Sequence, residues 1–93
     1  MAHTLLSQEH VQQQMKKLKG WKREGNEIKK TVKLKDFVRS MGFVNSVALL
    51  AEKMDHHPDI DIRWNTVYLT LSTHDAGGLT DFDFKLAKLI DGL

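Results

Sequence analysis

The 93-residue chain has no cysteine, so neither a disulfide framework nor a thiolate metal site is open to it. It has one proline and six glycines, no Ser/Gly tract and no internal repeat, and so offers no linker or domain boundary. No stretch approaches the roughly eighteen apolar residues of a membrane span, and Met1-Ala2-His3-Thr4 lacks the basic start and apolar run of a secretion signal. A cytoplasmic location is the expectation. An excess of one charge is also missing, since fourteen Lys and Arg against twelve Asp and Glu leave +2. The lysines gather only mildly, at Lys16-Lys17-Lys19 and Lys29-Lys30 through Lys35, each time among apolar residues. That pattern reads as a solvated face rather than a nucleic-acid surface. What is present is 41% apolar and 28% charged, the balance of a single globular domain over residues 1–93. A domain this small buries only about 60–65% of its unfolded surface, which makes self-association a common supplement.

Hydrophobic periodicity orders the chain. Ser7 can cap a first helix, with Leu6 and Val11 at hydrophobic-staple spacing, Val11, Met15 and Leu18 on one face, and Gly20 at its end. The runs Trp21–Glu24 and Glu27–Val32 flank Gly25-Asn26 as a hairpin, although Lys30 interrupts the apolar side between Ile28 and Val32. Asp36 to Met54 is the longest helical stretch. It carries one stripe of Phe37, Met41, Val44, Ala48 and Ala51 and a second of Phe43, Val47, Leu50 and Met54, with centres roughly 110° apart. One sheet needs only one stripe, so the second is expected at an interface between copies.

Ile60, Ile62 and Trp64, then Val67, Leu69 and Leu71, alternate with polar residues and predict two strands, each with one buried face. Thr80 with Asp83 three residues on reads as a capping box. Leu79 and Phe84 can form the staple, and Phe82, Leu86, Leu89 and Leu93 supply an apolar face for a last helix. The order α-β-β-α-β-β-α predicts an α+β fold, a four-stranded antiparallel sheet with three helices on one face.

Five histidines are many for such a chain. His56 and His57 stand at the entrance to the third strand, and His74 just beyond the exit of the fourth. In an antiparallel hairpin those two ends are neighbours, so the three imidazoles converge. Gly77-Gly78 and the start of the last helix bring Asp83 to the same end. Pro58 holds His57 in extended geometry. Adjacent histidines in a surface turn can be solvated bystanders, and Asp83 fits a capping box without any catalysis. Against a metal, there is no His-x-x-x-His pair on a helix and no Cys. Histidine suits proton transfer near neutral pH. The residues themselves lead to a metal-free acid–base site or a small-ligand pocket.

Four blocks then carry a resemblance: Ala51-Glu52-Lys53-Met54-Asp55-His56-His57-Pro58, Trp64-Asn65-x-Val67, Leu71-Ser72-Thr73-His74, and Gly78-Leu79-Thr80 with Asp83. With Gly20-Trp21, Lys35-Asp36-Phe37 and Gly42-Phe43, they resemble the pterin-4a-carbinolamine dehydratase family in order and spacing over nearly the whole chain. The resemblance implies dehydration of 4a-hydroxytetrahydrobiopterin to quinonoid dihydrobiopterin, without metal or organic cofactor. That reaction recycles tetrahydrobiopterin after phenylalanine hydroxylation. By position it implies His56 and His74 as the acid–base pair, His57 against the hydroxylated carbon, and Asp83 fixing an imidazole tautomer. Asp55 to His57 and Ser72, Thr73, His74 and Asp75 would line the pterin, with Glu52 as a further contact. Several relatives place an aromatic where this chain has Ile60, so contact there would be aliphatic. The family also implies homodimers or homotetramers and, in animal members, a regulatory role as dimerisation cofactor for a transcription factor. The rival readings are such a coactivator-type partner and a related acid–base activity on another pterin.

Overall fold

A computed structural model describes residues 4–93. Helix α1 (Gln8–Met15) opens at Ser7, whose Oγ accepts from the His10 amide at 3.2 Å. The expected continuation to Gly20 does not form. Val11 is the one buried residue of α1, and so little packing does not carry a helix further. Strands β1 (Trp21–Glu24) and β2 (Glu27–Lys33) pair across the Gly25-Asn26 turn, with Trp21 opposite Lys30 and Glu24 opposite Glu27. Gly25 takes a φ of +59° there, which glycine adopts without steric cost.

Helix α2 (Phe37–Met54) is capped by Asp36, whose Oδ1 accepts from the Arg39 amide at 2.9 Å. It stops at Asp55, which adopts the left-handed conformation at φ +52°, while the His56 amide returns to the Ala51 carbonyl at 3.1 Å. That closure satisfies a terminal carbonyl and turns the chain sharply. Strands β3 (Asp59–Arg63) and β4 (Thr66–Leu71) follow, then a short 3₁₀ turn (His74–Ala76) and helix α3 (Asp81–Asp91). The sheet order is β1-β2-β4-β3, antiparallel throughout. All three helices lie on one face, giving the α+β architecture expected. Ile28, Val67, Leu69 and Leu71 from the central strands meet Val47 and Ala51 of α2 and Phe84, Leu86, Ala87 and Ile90 of α3 in one core.

Three expected faces are corrected. On α2 the second stripe turns inward, with Val47 fully buried and Phe43, Leu50 and Met54 packed against the core, and of the first stripe only Val44 and Ala51 join it. The apolar side chains left in solvent are Phe37, Val38, Met41 and Leu49. On α3, Leu89 and Leu93 are exposed, and Phe84, Leu86, Ala87 and Ile90 take the buried positions. Strand β3 has no fully buried residue, and Trp64 is 67% exposed in the turn beyond it. As an edge strand it is only partly covered by the helices, so alternation alone overstated its burial. Among the described residues no helix is long and apolar enough to cross a membrane.

Candidate active site

The C-terminus of α2, the start of β3, the end of β4 and the capped start of α3 meet at one end of the sheet. The left-handed turn at Asp55 sends His56 inward and His57 outward: His56 is 7% exposed, and the His57 side chain is half-exposed. Across the hairpin, β4 ends at Leu71 and Ser72 to Asp75 return along the same rim. Between the two segments lies a cavity of about 230 Å³, walled by Asp55, His56 and His57 on one side and Ser72, Thr73, His74 and Asp75 on the other. The three histidines predicted to converge line this one cavity.

Beneath it lies a closed hydrogen-bond network. Asp83 is fully buried in the first turn of α3. Its Oδ1 stands 2.6 Å from His56 Nε2, and its Oδ2 accepts from the Thr80 amide at 2.9 Å and from Thr73 Oγ1 at 2.8 Å. Thr73 Oγ1 also lies 2.8 Å from Thr80 Oγ1. The proton directions follow from chemistry. An ionised carboxylate only accepts, so Thr73 donates to Asp83 and Thr80 must donate to Thr73. Thr80 Oγ1 in turn accepts from the Phe82 amide at 3.3 Å. By the same reasoning His56 carries a proton on Nε2, which fixes the orientation of the ring. Phe82 flanks the ring, with centroids 5.9 Å apart.

His57 Nε2 meets Glu52 Oε1 at 2.6 Å, both side chains largely in solvent. Glu52 thus stands behind His57 rather than among the cavity's walls. Thr73 lines the cavity, but its hydroxyl is turned to Asp83 and its amide to the Gly78 carbonyl. Ile60 lies on β3, outside the cavity walls. Among the described residues no group of three or more His, Asp and Glu side chains could hold a metal ion. A larger hollow of about 400 Å³ on the uncovered face of the sheet is bordered by Lys22, Lys29 and Tyr68 and contains no histidine.

Two features escaped the sequence reading. One is the role of Thr73 as a donor to Asp83. The other is the Ser72 Oγ bond to the Asn26 carbonyl at 2.7 Å, which ties the β1–β2 turn to the cavity rim. Both cross between distant segments, and local pattern carries no signal for either.

An imidazole held by a buried carboxylate, with two more imidazoles round the same cavity, gives this end of an α+β fold the groups that acid–base chemistry needs. The family model for pterin 4 alpha carbinolamine dehydratase matches residues 4–93. A relative from Roseiflexus sp. that carries a pterin-4-alpha-carbinolamine dehydratase name is 54% identical over 88 residues, covering 95% of each chain. One from Nocardia farcinica with the same name is 50% identical over 93 residues, covering 100% of this chain and 98% of its own. The crystal structure of a transcriptional coactivator/pterin dehydratase from Brucella melitensis superposes with a TM-score of 0.90 at 35% identity, covering 94% of this chain and 95% of the other. The chain belongs to the pterin-4-alpha-carbinolamine dehydratase family.

Proposed function

We propose that His56 and His74 are the base and the acid of a pterin dehydration carried out in this cavity, with His57 orienting the reacting carbon. The protein is a dehydratase acting on a pterin; the proposal concerns its substrate and the division of labour among its residues. In 4a-hydroxytetrahydrobiopterin the C4a–O bond breaks and the hydroxyl leaves as water with a proton from the acid. A base removes a proton from a ring nitrogen, and the electron pair released forms the new double bond of quinonoid dihydrobiopterin. One proton enters and one leaves, so acid and base must flank the same carbon.

The observation that carries the assignment is the Asp83 carboxylate 2.6 Å from His56 Nε2. It fixes the orientation of the ring and compensates the charge that the imidazole acquires on taking a proton. His74 is exposed at the cavity rim, where water can restore its proton between turnovers. Asp55, Ser72 and Asp75 offer acceptors to the donor edge of the pterin. No metal or organic cofactor takes part in this scheme, and exhaustive chelation should leave the rate unchanged. The reaction would serve tetrahydrobiopterin recycling after aromatic hydroxylation in the cytoplasm.

The test is a rapid assay on freshly generated 4a-hydroxytetrahydrobiopterin against its spontaneous dehydration. His56→Ala and His74→Ala should each lower the enzymatic rate constant by about 10²–10⁴-fold, or down to the spontaneous rate if that is reached first. Full activity in the double variant would refute the assignment.

A protein partner is part of the same proposal. The exposed apolar side chains of α2 and the thinly covered edge strand β3 favour a homodimer or homotetramer. A regulatory partner is the alternative occupant of that surface, a reading supported by the Brucella protein's being named a transcriptional coactivator.

A further inference from the structure

The three imidazoles of the cavity are not held alike. His56 is fixed by Asp83 and His57 by Glu52. The His74 ring is exposed and, among the described residues, makes no side-chain hydrogen bond or ion pair. Its backbone alone must place it. Building on the reading of His74 as the acid, we infer that the N-terminal segment at Leu5 and Leu6 closes over Gly78 as a clamp on the loop that carries His74. Leu5, Leu6 and Gly78 are then positioning residues for the reaction, although none of them borders the histidine cavity.

The loop is shaped from within. Thr73 and Gly78 form an antiparallel bridge, in which the Thr73 amide donates to the Gly78 carbonyl at 2.9 Å and the Gly78 amide to the Thr73 carbonyl at 3.3 Å. The same Thr73 carbonyl accepts from the Ala76 and Gly77 amides, each at 3.1 Å. Its near end is tied down by side chains, Ser72 Oγ to the Asn26 carbonyl and Thr73 Oγ1 to Asp83. Its far end, Ala76-Gly77-Gly78, has almost no side chain with which to pack. There the N-terminal segment takes over. The Leu6 amide donates to the Leu79 carbonyl at 2.9 Å, and the Leu6 side chain packs against the core.

Gly78 shows how close this approach is. Gly77 takes a left-handed φ of +77°, but Gly78 does not, so what glycine supplies at 78 is space. A first side-chain carbon there would lie 2.8 Å from Leu5 Cδ1 and 3.4 Å from Asn26 Oδ1. The first distance is well inside the contact separation of two carbons, about 3.5–4.0 Å. The N-terminal segment and the β1–β2 turn therefore meet against the bare backbone of Gly78, beside its bridge to Thr73. A general acid must stand within hydrogen-bond reach of the oxygen it protonates. A misplacement of about 1 Å, caused far from the chemistry, can cost about 10²-fold in rate.

The experiment uses Gly78→Ala and Leu6→Pro in the full chain. Leu5 is 54% exposed and its Cδ1 is a free end, so the added methyl of Gly78→Ala displaces it without entering the core. Leu6→Pro removes the amide that bonds Leu79. Circular dichroism should show both variants folded, with kcat on 4a-hydroxytetrahydrobiopterin lowered about tenfold. In proton–carbon NMR spectra the His74 ring signal should shift or broaden, while the His56 signal, held by Asp83, stays in place. Where one variant fails to fold, the other decides. An unchanged kcat in a folded variant, a lowered kcat with the His74 signal unmoved, or a His56 signal that moves equally would overturn the clamp and leave His74 as the acid. Full activity in His74→Ala would overturn the acid and the clamp together.

Discussion

Lys30 Nζ lies 2.6 Å from Asp91 Oδ1, joining the middle of β2 to the last residue of α3 across the helical face of the sheet. The same carboxylate accepts from Trp21 Nε1 at 2.8 Å and from the Lys19 amide at 2.9 Å. A lysine on the apolar side of β2 is thus not a flaw in the alternation. Its ammonium lies 5.9 Å from the centroid of the Trp21 ring and closes a largely buried ion pair that pins the end of α3 to the first hairpin.

This cluster sets an acid limit on stability. Burial pushes the Asp91 carboxyl up, but the bond from Lys30, the Lys19 amide, Trp21 Nε1 and the Lys30 charge together outweigh it and hold the pKa below the ordinary carboxylate value. A depressed folded-state pKa stabilises the fold above the unfolded pKa, and the contribution is lost as pH falls through the folded value. Asp91→Ala should cost about 2 kcal/mol at pH 7, since it strands an ammonium and an indole N–H. Urea unfolding at pH 7 and in acid would show the gap between wild type and variant narrowing as pH drops. A gap independent of pH would contradict the assignment.

Thr80→Ala removes more than a helix cap. Loss of an N-cap hydroxyl costs about 1 kcal/mol, yet here the same oxygen also bonds Thr73, the donor to Asp83. Thermal or denaturant unfolding should therefore show a loss of about 2 kcal/mol. A loss at the ordinary capping value would mean the Thr73 bond contributes nothing.

Asp83→Asn tests the carboxylate as a positioning group. An amide cannot accept on both sides, so either His56 or the Thr73 and Thr80 donors lose their partner. The expected outcome is a fall in kcat of about 10²-fold with a stability loss of about 2 kcal/mol. Thr73→Val keeps the shape and removes one donor from Asp83. It should cost comparable stability with a much smaller fall in kcat. Equal effects of the two variants on kcat would reduce Asp83 to a structural role.

The histidine rim was legible before the fold because hairpin topology alone brings His56, His57 and His74 together. The capping box at Thr80 and Asp83 was legible because it is local. Its extension to His56 was not, since that contact spans 27 residues of sequence and depends on how α2 and α3 pack. Burial was the harder quantity to read. Periodicity shows that Ile60, Trp64 and Leu89 are apolar at regular spacing, but the sheet order decides that β3 is an edge, and helix packing decides which side of α3 is covered. On α2 both stripes satisfy the helical period equally, so the sequence pattern offered no way to choose between them.

That choice decides the last prediction. Val47 is fully buried in its own chain, whereas Val38 is 69% and Leu49 is 74% exposed. A charge at Val47 would enter the monomer's core and destabilise it by several kcal/mol, about the cost of an unpaired buried polar or charged group. Val47→Glu should therefore unfold the protein rather than dissociate it, as circular dichroism would show. Val38→Glu and Leu49→Lys place charges that the monomer tolerates in water but an apolar partner surface does not. Val38 also lies in the first turn of α2, where a carboxylate is favoured by the helix dipole, so its substitution has no reason to harm the fold. Sedimentation at micromolar concentration should give an oligomer for wild type and smaller species for both surface variants, with the His56–Asp83 end of the molecule still folded. A monomeric wild type, or an assembly unchanged by Val38→Glu and Leu49→Lys together, would remove α2 from the contact and leave the edge of β3 as the surface to test next.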